Sequence, residues 1–281
     1  MPESALPQVT AIARALGKSV RRFDIDVLER CESTNANLLA RADAGAPSGT
    51  VIVAVEQTAG RGRRGRAWVS TPGDSLTFSL LWRFAPGTAP AGLSLAVGVA
   101  VAEALENCIQ TRAAAVAPTA GPSGDTAPNS TIGLKWPNDI LKQGRKLGGI
   151  LVELVPGMPH AAVIGIGINL RLPPALSDDV RATAAAVDTK VDCNFLLAEL
   201  LQALLRTLER FADGGFAALR MDWLARHAFQ DSRVRLNSDF APPQEGICRG
   251  VDSDGALLLE IDGRTERVLS GEVSLRPTQQ Q

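Results

Sequence analysis

Residues 51–68 read VIVAVEQTAGRGRRGRAW. Val51–Glu56 is an apolar run of strand length and reads as a buried strand. It opens directly into a turn in which Arg61, Arg63, Arg64 and Arg66 are interleaved with Gly60, Gly62 and Gly65. Glycine lets a backbone approach a ligand closely, and guanidinium forks match phosphate and carboxylate oxygens two at a time. The turn reads either as a nucleotide- or anion-binding site or as a solvated basic loop. Its place between two apolar strands, the second being SLTFSLLW at 75–82, favours a structured site. It is not the phosphate loop of P-loop enzymes, whose glycine and lysine spacing is absent.

Upstream, FDIDVLERC at 23–31 alternates apolar and polar residues and predicts a strand. Ser33-Thr34-Asn35 are helix-capping residues before ANLLARADAG, with Gly45 placed to end that helix. Residues 1–22 are weakly patterned, enough for one short helix. Downstream, 93–110 reads as a mostly buried helix, and the Ala/Pro/Gly-rich 113–131 as a mobile surface loop. Strand patterns resume at IGLKW, at 147–155 and at 161–170. Residues 194–212 repeat apolar positions at three and four, an amphipathic helix, and a second short helix is expected at 215–226. Beyond about 230 the chain consists of short strands separated by Asp254-Gly255 and Asp262-Gly263 turns. The division expected is a mixed α/β (α+β) domain over 1–229 and a small β-barrel or sandwich over 230–281.

Two further clusters carry chemistry. Lys135-Trp136-Pro137-Asn138-Asp139 is followed closely by Arg145-Lys146-Leu147-Gly148-Gly149, so one hairpin brings Lys135, Asp139 and Lys146 near one ligand. Asn138 and Asp139 equally suit the turn itself, bonding its backbone. An aspartate beside lysines stays ionised and is able to orient a nucleophile or hold Mg²⁺. Gly165-Ile166-Gly167-Ile168-Asn169 lacks the third glycine and the following helix of a dinucleotide fingerprint, and reads first as close strand packing with a polar strand end.

Composition narrows the classes. Lys plus Arg number 29 against 30 Asp plus Glu, a balance that argues against a general nucleic-acid or membrane coat. Cys31, Cys108, Cys193 and Cys248 form no CxxC pair and His160 and His227 are the only histidines, so neither a zinc site nor a disulfide framework is expected. The N-terminus is no secretory signal, and the apolar run Leu93–Leu105 is shorter than a bilayer span. The expectation is a soluble cytoplasmic protein.

Taken in order, Glu32–Asn35, Glu56–Trp68, Lys135–Asp139, Arg145–Ile150 and Gly165–Asn169 resemble the motif set of the biotin protein ligases, with Gly255–Leu259 and Gly271–Arg276 also matching. The resemblance covers roughly 25–277. It implies a mixed-sheet catalytic domain related to class II aminoacyl-tRNA synthetases and lipoate ligases, followed by a small SH3-like β-barrel. It implies a two-step reaction. Biotin and MgATP give biotinyl-5′-AMP and pyrophosphate, and a lysine of the biotin carboxyl carrier protein of acetyl-CoA carboxylase then takes the biotin. By resemblance Ser33, Thr34, Asn35 and Gln57 line the biotin end, while Arg61, Gly62 and Arg63 cover the carboxylate. Lys146 stabilises the charge that develops there. Arg63, Arg64, Arg66, Trp68, Lys135, Asn138, Asp139 and Asn169 fall toward ATP and its metal. Lys146, Arg61 and Asp139 are the expected catalytic group, with Asp139 either a base toward the acceptor amine or a ligand of the metal and loop.

Only 32 residues precede Ser33, fewer than the winged helix-turn-helix of the repressor members needs, so no sequence-specific DNA binding is expected. A lipoate–protein ligase and a non-catalytic nucleic-acid module using the 61–66 arginines are the competing readings. Sequence leaves the oligomeric state open, a homodimer included.

Overall fold

The apolar alternation sorts the chain into one sheet with two different faces. The computed structural model describes residues 6–116, 132–173, 176–187, 191–238, 242–269 and 273–277. Its elements run α1 (Val9–Leu16), β1 (Asp24–Cys31), α2 (Thr34–Asp43), β2 (Thr50–Gln57), β3 (Ser75–Arg83) and α3 (Leu93–Val116). Then follow β4 (Ile132–Lys135), β5 (Asp139–Lys142), β6 (Arg145–Val155), β7 (Met158–Asn169), α4 (Asp178–Thr183), α5 (Cys193–Gly214) and α6 (Arg220–Leu224). The seven strands are ordered β1-β2-β3-β7-β6-β5-β4. The β1–α2–β2 crossover makes a parallel pair, Val27 facing Val53, and the remaining neighbours are antiparallel.

Side chains alternate across each strand, and this divides the core. Val51 and Val53 of β2, Phe78 and Leu80 of β3 and Ile164, Ile166 and Ile168 of β7 join the cluster under α3 and α5. Ile52, Leu81 and Val163 point the other way, onto Leu38 and Ala42 of α2. Val97, Val101 and Leu105 of α3 and Leu196, Leu200 and Leu204 of α5 are fully buried, each contributing roughly 1.5–3 kcal/mol of apolar burial. On the α2 face the apolar cover stops partway along the sheet. Beyond it the same strands offer Thr77, Gly165 and Gly167, which line a cleft.

The C-terminal part is a five-stranded antiparallel sheet of β8 (Arg233–Ser238), β9 (Gln244–Val251), β10 (Leu257–Ile261), β11 (Arg264–Val268) and β12 (Val273–Pro277), ordered β11-β10-β9-β8-β12. Asp262 and Gly263 both have positive φ, the tight hairpin turn their sequence foretells. This sheet shares one core with the first domain, because Val234, Cys248, Val251 and Leu257 sit in the same cluster as α3 and α5. The junction is also polar. Trp136, fully buried, donates its Nε1–H to the Gly255 carbonyl at 3.1 Å. Residues 226–228 pair with Leu134 and cover the outer edge of β4 (Leu134 N to Arg226 O 2.7 Å, Ala228 N to Leu134 O 2.9 Å).

Three helical expectations change. Helix α3 spans 24 residues and runs through 113–116, where a loop was expected; residues 117–131 lie outside the described residues. By length and composition it passes as a membrane span, but most of it is buried against the sheet and α5. The short helix α4 was not foreseen. The 215–226 helix is split into a 3₁₀ turn, Phe216–Leu219, and α6. No disulfide joins the four cysteines, and burial pushes the Cys108, Cys193 and Cys248 thiols up to about 11. His227 stacks on Trp223, and burial drops its imidazole to about 4, so it is neutral and structural.

Trp136→Phe keeps an aromatic ring but removes the indole N–H and part of the indole volume, orphaning the buried Gly255 carbonyl. Urea denaturation is expected to show a loss of about 1–3 kcal/mol, with both sheets unfolding in one transition.

Candidate active site

The cleft is built on the part of the sheet that has no side chains to spare. A Cβ on Gly165 would lie 2.2 Å from Asn35 Oδ1, and one on Gly167 would lie 2.4 Å from the Trp68 indole. Both glycines are therefore required by close approach. Asn35 and Trp68 lie directly over strand backbone, in space that any other residue would fill.

The N-terminus of α2 forms the first wall. Ser33 caps the helix, accepting from Ala36 N at 3.5 Å. Gln57, at the end of β2, accepts from Thr34 N at 2.7 Å and from Thr34 Oγ1 at 3.1 Å. Ser79 of β3 lies 2.7 Å from Thr34 Oγ1 and donates to Asn35 Oδ1 at 2.6 Å. Asn35 Nδ2 donates to Leu151 O at 3.2 Å and to Glu153 Oε2 at 2.8 Å. Ser33, Thr34, Asn35, Gln57 and Ser79 are all buried, so this polar network has few routes to bulk water and holds one geometry.

The Gly/Arg turn forms the roof. It leaves β2 with Thr58 N bonded to Cys31 O and Ala59 N to Glu32 O. It then folds on itself through Gly62 N to Arg66 O at 2.7 Å and Trp68 N to Gly60 O at 2.8 Å. Trp68 Nε1 donates to Thr77 Oγ1 at 3.3 Å, which pins the indole over Gly167. Arg61 reaches Glu153 at 3.5 Å. Arg63 is partly stripped of water, which lowers its basicity, while Asp139 across the cleft acts in the opposite sense.

The third element is a charge triad. Asp139 Oδ1 meets Lys146 Nζ at 2.6 Å and its Oδ2 meets Lys135 Nζ at 3.0 Å. Burial alone would raise this carboxyl, but the two ammoniums outweigh burial and hold it below the usual carboxylate range. Lys135 and Asp139 are 12% and 15% exposed, whereas Lys146 at 45% keeps one side open to the cleft. Asn138 Nδ2 donates to Ile150 O at 2.8 Å and fixes the Trp136–Asp139 turn on β6.

Fourteen of the expected residues, from Ser33 through Arg61, Arg66 and Trp68 to Asp139 and Lys146, line this one cavity of about 170 Å³. Asn169 does not. It lines an adjoining cavity of about 260 Å³ with Leu172, Leu176 and Val180, and Ala67, Trp68 and Lys146 belong to both. Thr77, Ser79 and Glu153 were missed. The first two were legible as polar positions on one face of SLTFSLLW, and Glu153 as a lone carboxylate inside the apolar LVELV.

Among the described residues no group of three or more His, Cys, Asp or Glu is placed to hold a metal ion. Asp139 already carries an ammonium on each oxygen, which does not fit its expected second role as a metal ligand. Among the described residues, no resident metal site is built into this cleft.

Because the folded Asp139 carboxyl lies below its unfolded value of about 3.9, its contribution to stability is complete above that pH. It is lost as pH falls through the depressed folded value. Asp139→Asn should therefore be less stable than the wild type by a constant margin near neutrality, and the margin should narrow below about pH 4 in pH-dependent urea melts.

Comparison with known proteins agrees with this arrangement. Residues 27–169 match the biotin/lipoate A/B protein ligase family, and residues 231–276 match the biotin protein ligase C-terminal domain. The chain is 37% identical over 260 residues to the bifunctional ligase/repressor BirA of Escherichia coli, covering 90% of this chain and 74% of that one. It is 35% identical over 253 residues to the biotin–acetyl-CoA-carboxylase ligase of Mycobacterium tuberculosis, covering 89% and 88%. The fold superposes on the Aquifex aeolicus biotin protein ligase in complex with biotin and ATP with a TM-score of 0.72 at 26% identity, covering 91% of this chain and 99% of that one. A mixed-sheet domain with this cleft, followed by an antiparallel sheet of the matching C-terminal type, places the chain in the biotin protein ligase family.

Proposed function

We propose that the two adjoining cavities hold the two substrates of a biotin–acetyl-CoA-carboxylase ligase, biotin in the first and ATP in the second. The observation that carries this reading is the shared wall. Trp68 and Lys146 line both cavities, so a carboxylate entering from one side and an α-phosphate from the other meet at the Lys146 ammonium. Biotin's polar ring lies against Ser33, Thr34, Asn35 and Gln57, whose network offers donors and acceptors fixed before binding. ATP lies with its base in the second cavity against Trp68 and Asn169, and its phosphates pass the shared wall into the first, under Arg63, Arg64 and Arg66 and near Lys135 and Asn138. Mg²⁺ enters with the nucleotide phosphates.

In the first step a biotin carboxylate oxygen attacks the α-phosphorus, the bond to the β-phosphate oxygen breaks, and pyrophosphate leaves. Two anions must approach, and Arg61, Arg63 and Lys146 offset their repulsion while holding them in line. Asp139 keeps Lys135 and Lys146 together against their own repulsion, so the cleft presents their charge at a fixed place. In the second step the acceptor lysine amine attacks the acyl carbon and AMP leaves. The carrier supplies this nucleophile, and the enzyme needs none of its own. An Asp139 carboxyl held below its usual range is a weak base toward an ammonium, which favours the orienting role over the basic one. The roof excludes water from the mixed anhydride. We divide the chain accordingly into a ligase domain, 1–229, and a C-terminal domain, 230–281.

Labelled biotin should pass to a purified biotin carboxyl carrier domain only with MgATP. Lys146→Ala should reduce biotin-dependent ATP–pyrophosphate exchange by about 10²–10³-fold and change the biotin Kd by less than about tenfold. Equal losses in both would make Lys146 a binding group, and a preference for lipoate over biotin would reassign the substrate. Biotinyl-5′-AMP should also slow amide exchange across residues 58–68, since the roof closes on the acyl phosphate; unchanged exchange at saturation would count against a closing roof.

A further inference from the structure

Lys142 touches neither cavity. It stands at the end of β5, half-buried, and its ammonium donates to the carbonyls of Ala186 at 3.1 Å and Val187 at 3.0 Å. Those carbonyls belong to a short stretch, 184–187, laid against Lys146, which lines both cavities, and Asn169, which lines the second. Ala185 N donates to Lys146 O at 2.7 Å, Val187 N to Asn169 O at 2.9 Å, and Asn169 Nδ2 to Ala185 O at 2.9 Å. Leading into this stretch, Leu176, Val180 and Thr183, with Ala184 at its start, line the outer wall of the second cavity.

Helix α4, which contributes Val180 and Thr183 to that wall, has only 6 residues. So short a helix has little stability of its own and depends on how it is anchored. Its C-terminal anchor is the 184–187 stretch. An ammonium gives charge-assisted bonds to carbonyls, stronger than the backbone pairs beside them. We propose that Lys142 is a positioning residue for the nucleotide. By tying 184–187 to β5 it fixes the outer wall of the second cavity and steadies the Asn169 amide, and so sets the affinity for ATP without taking part in the chemistry. The inference rests on the reading of that cavity as the ATP site.

The test is steady-state biotin transfer at saturating biotin with MgATP varied. Lys142→Met keeps the stem and removes the donors. It should raise KM for ATP about tenfold, the size expected for losing a charge-assisted hydrogen bond, with kcat within about twofold and the biotin Kd unchanged. Lys142→Arg, which restores a cationic donor, should bring KM back to within about threefold of wild type. Should Lys142→Met fold poorly by thermal melting, Lys142→Gln retains a neutral donor and should fall between the two. Trp68→Ala and Asn169→Ala are assayed alongside. If neither raises KM for ATP, the second cavity is not the nucleotide site and the proposal falls with that reading. If they do, while Lys142→Met leaves KM unchanged, lowers kcat as much as it raises KM, or is not rescued by arginine, the reading stands and the positioning role is wrong.

Discussion

Gly165 and Gly167 leave a strip of β7 with no side chains, and the binding machinery is laid out on that strip. Asn35 comes in over the first glycine and Trp68 over the second, each closer than a Cβ would tolerate. The opposite face of the same strand is as apolar as any in the protein, with Ile164, Ile166 and Ile168 packed under the helices. One strand thus anchors the core and clears the cleft. The alternation of a pleated strand makes the two duties compatible.

The electrostatics follow from the same economy of space. Arg61, Arg63, Arg64, Arg66, Lys135 and Lys146 line one cleft with a single carboxylate among them, Asp139. Asp139 neutralises part of that charge and holds both lysines in place. The remaining positive potential is what two anionic substrates need, and the site has its charge arranged before either arrives. The roof turn carries four of the six cations on a segment bonded to itself and to the ends of β1 and β2, so it is both ordered in register and attached at its base. Glu153 reaches toward the roof from outside the lining, joining Asn35 to Arg61.

The C-terminal sheet also contributes to the site's rigidity. Trp136 is buried in the shared core and bonded to the turn at Gly255, and Lys135 and Asp139 flank it in the chain. The backbone of β4 is covered by residues 226–228, which lead into that sheet. The segment carrying the charge triad is therefore held from behind by both parts of the chain.

Much of this was legible from residue order. Buried strands, the Ser33 cap, the Asp262-Gly263 turn and the run of arginines are local features, set by side-chain chemistry and by neighbours a few residues away. The ordered motifs were enough to point to the family. What residue order could not express was which strands lie side by side and which face of the sheet is left open as the cleft. Thr77, Ser79 and Glu153 look like minor interruptions in apolar strands, and only sheet register sets them beside Asn35 and Trp68. The division of the site into two cavities, with Lys146 at their shared wall, and the tie from Lys142 to residues 184–187 join positions more than forty residues apart. Such contacts come from strand pairing and close packing, which depend on the whole chain, so tertiary structure alone decided them.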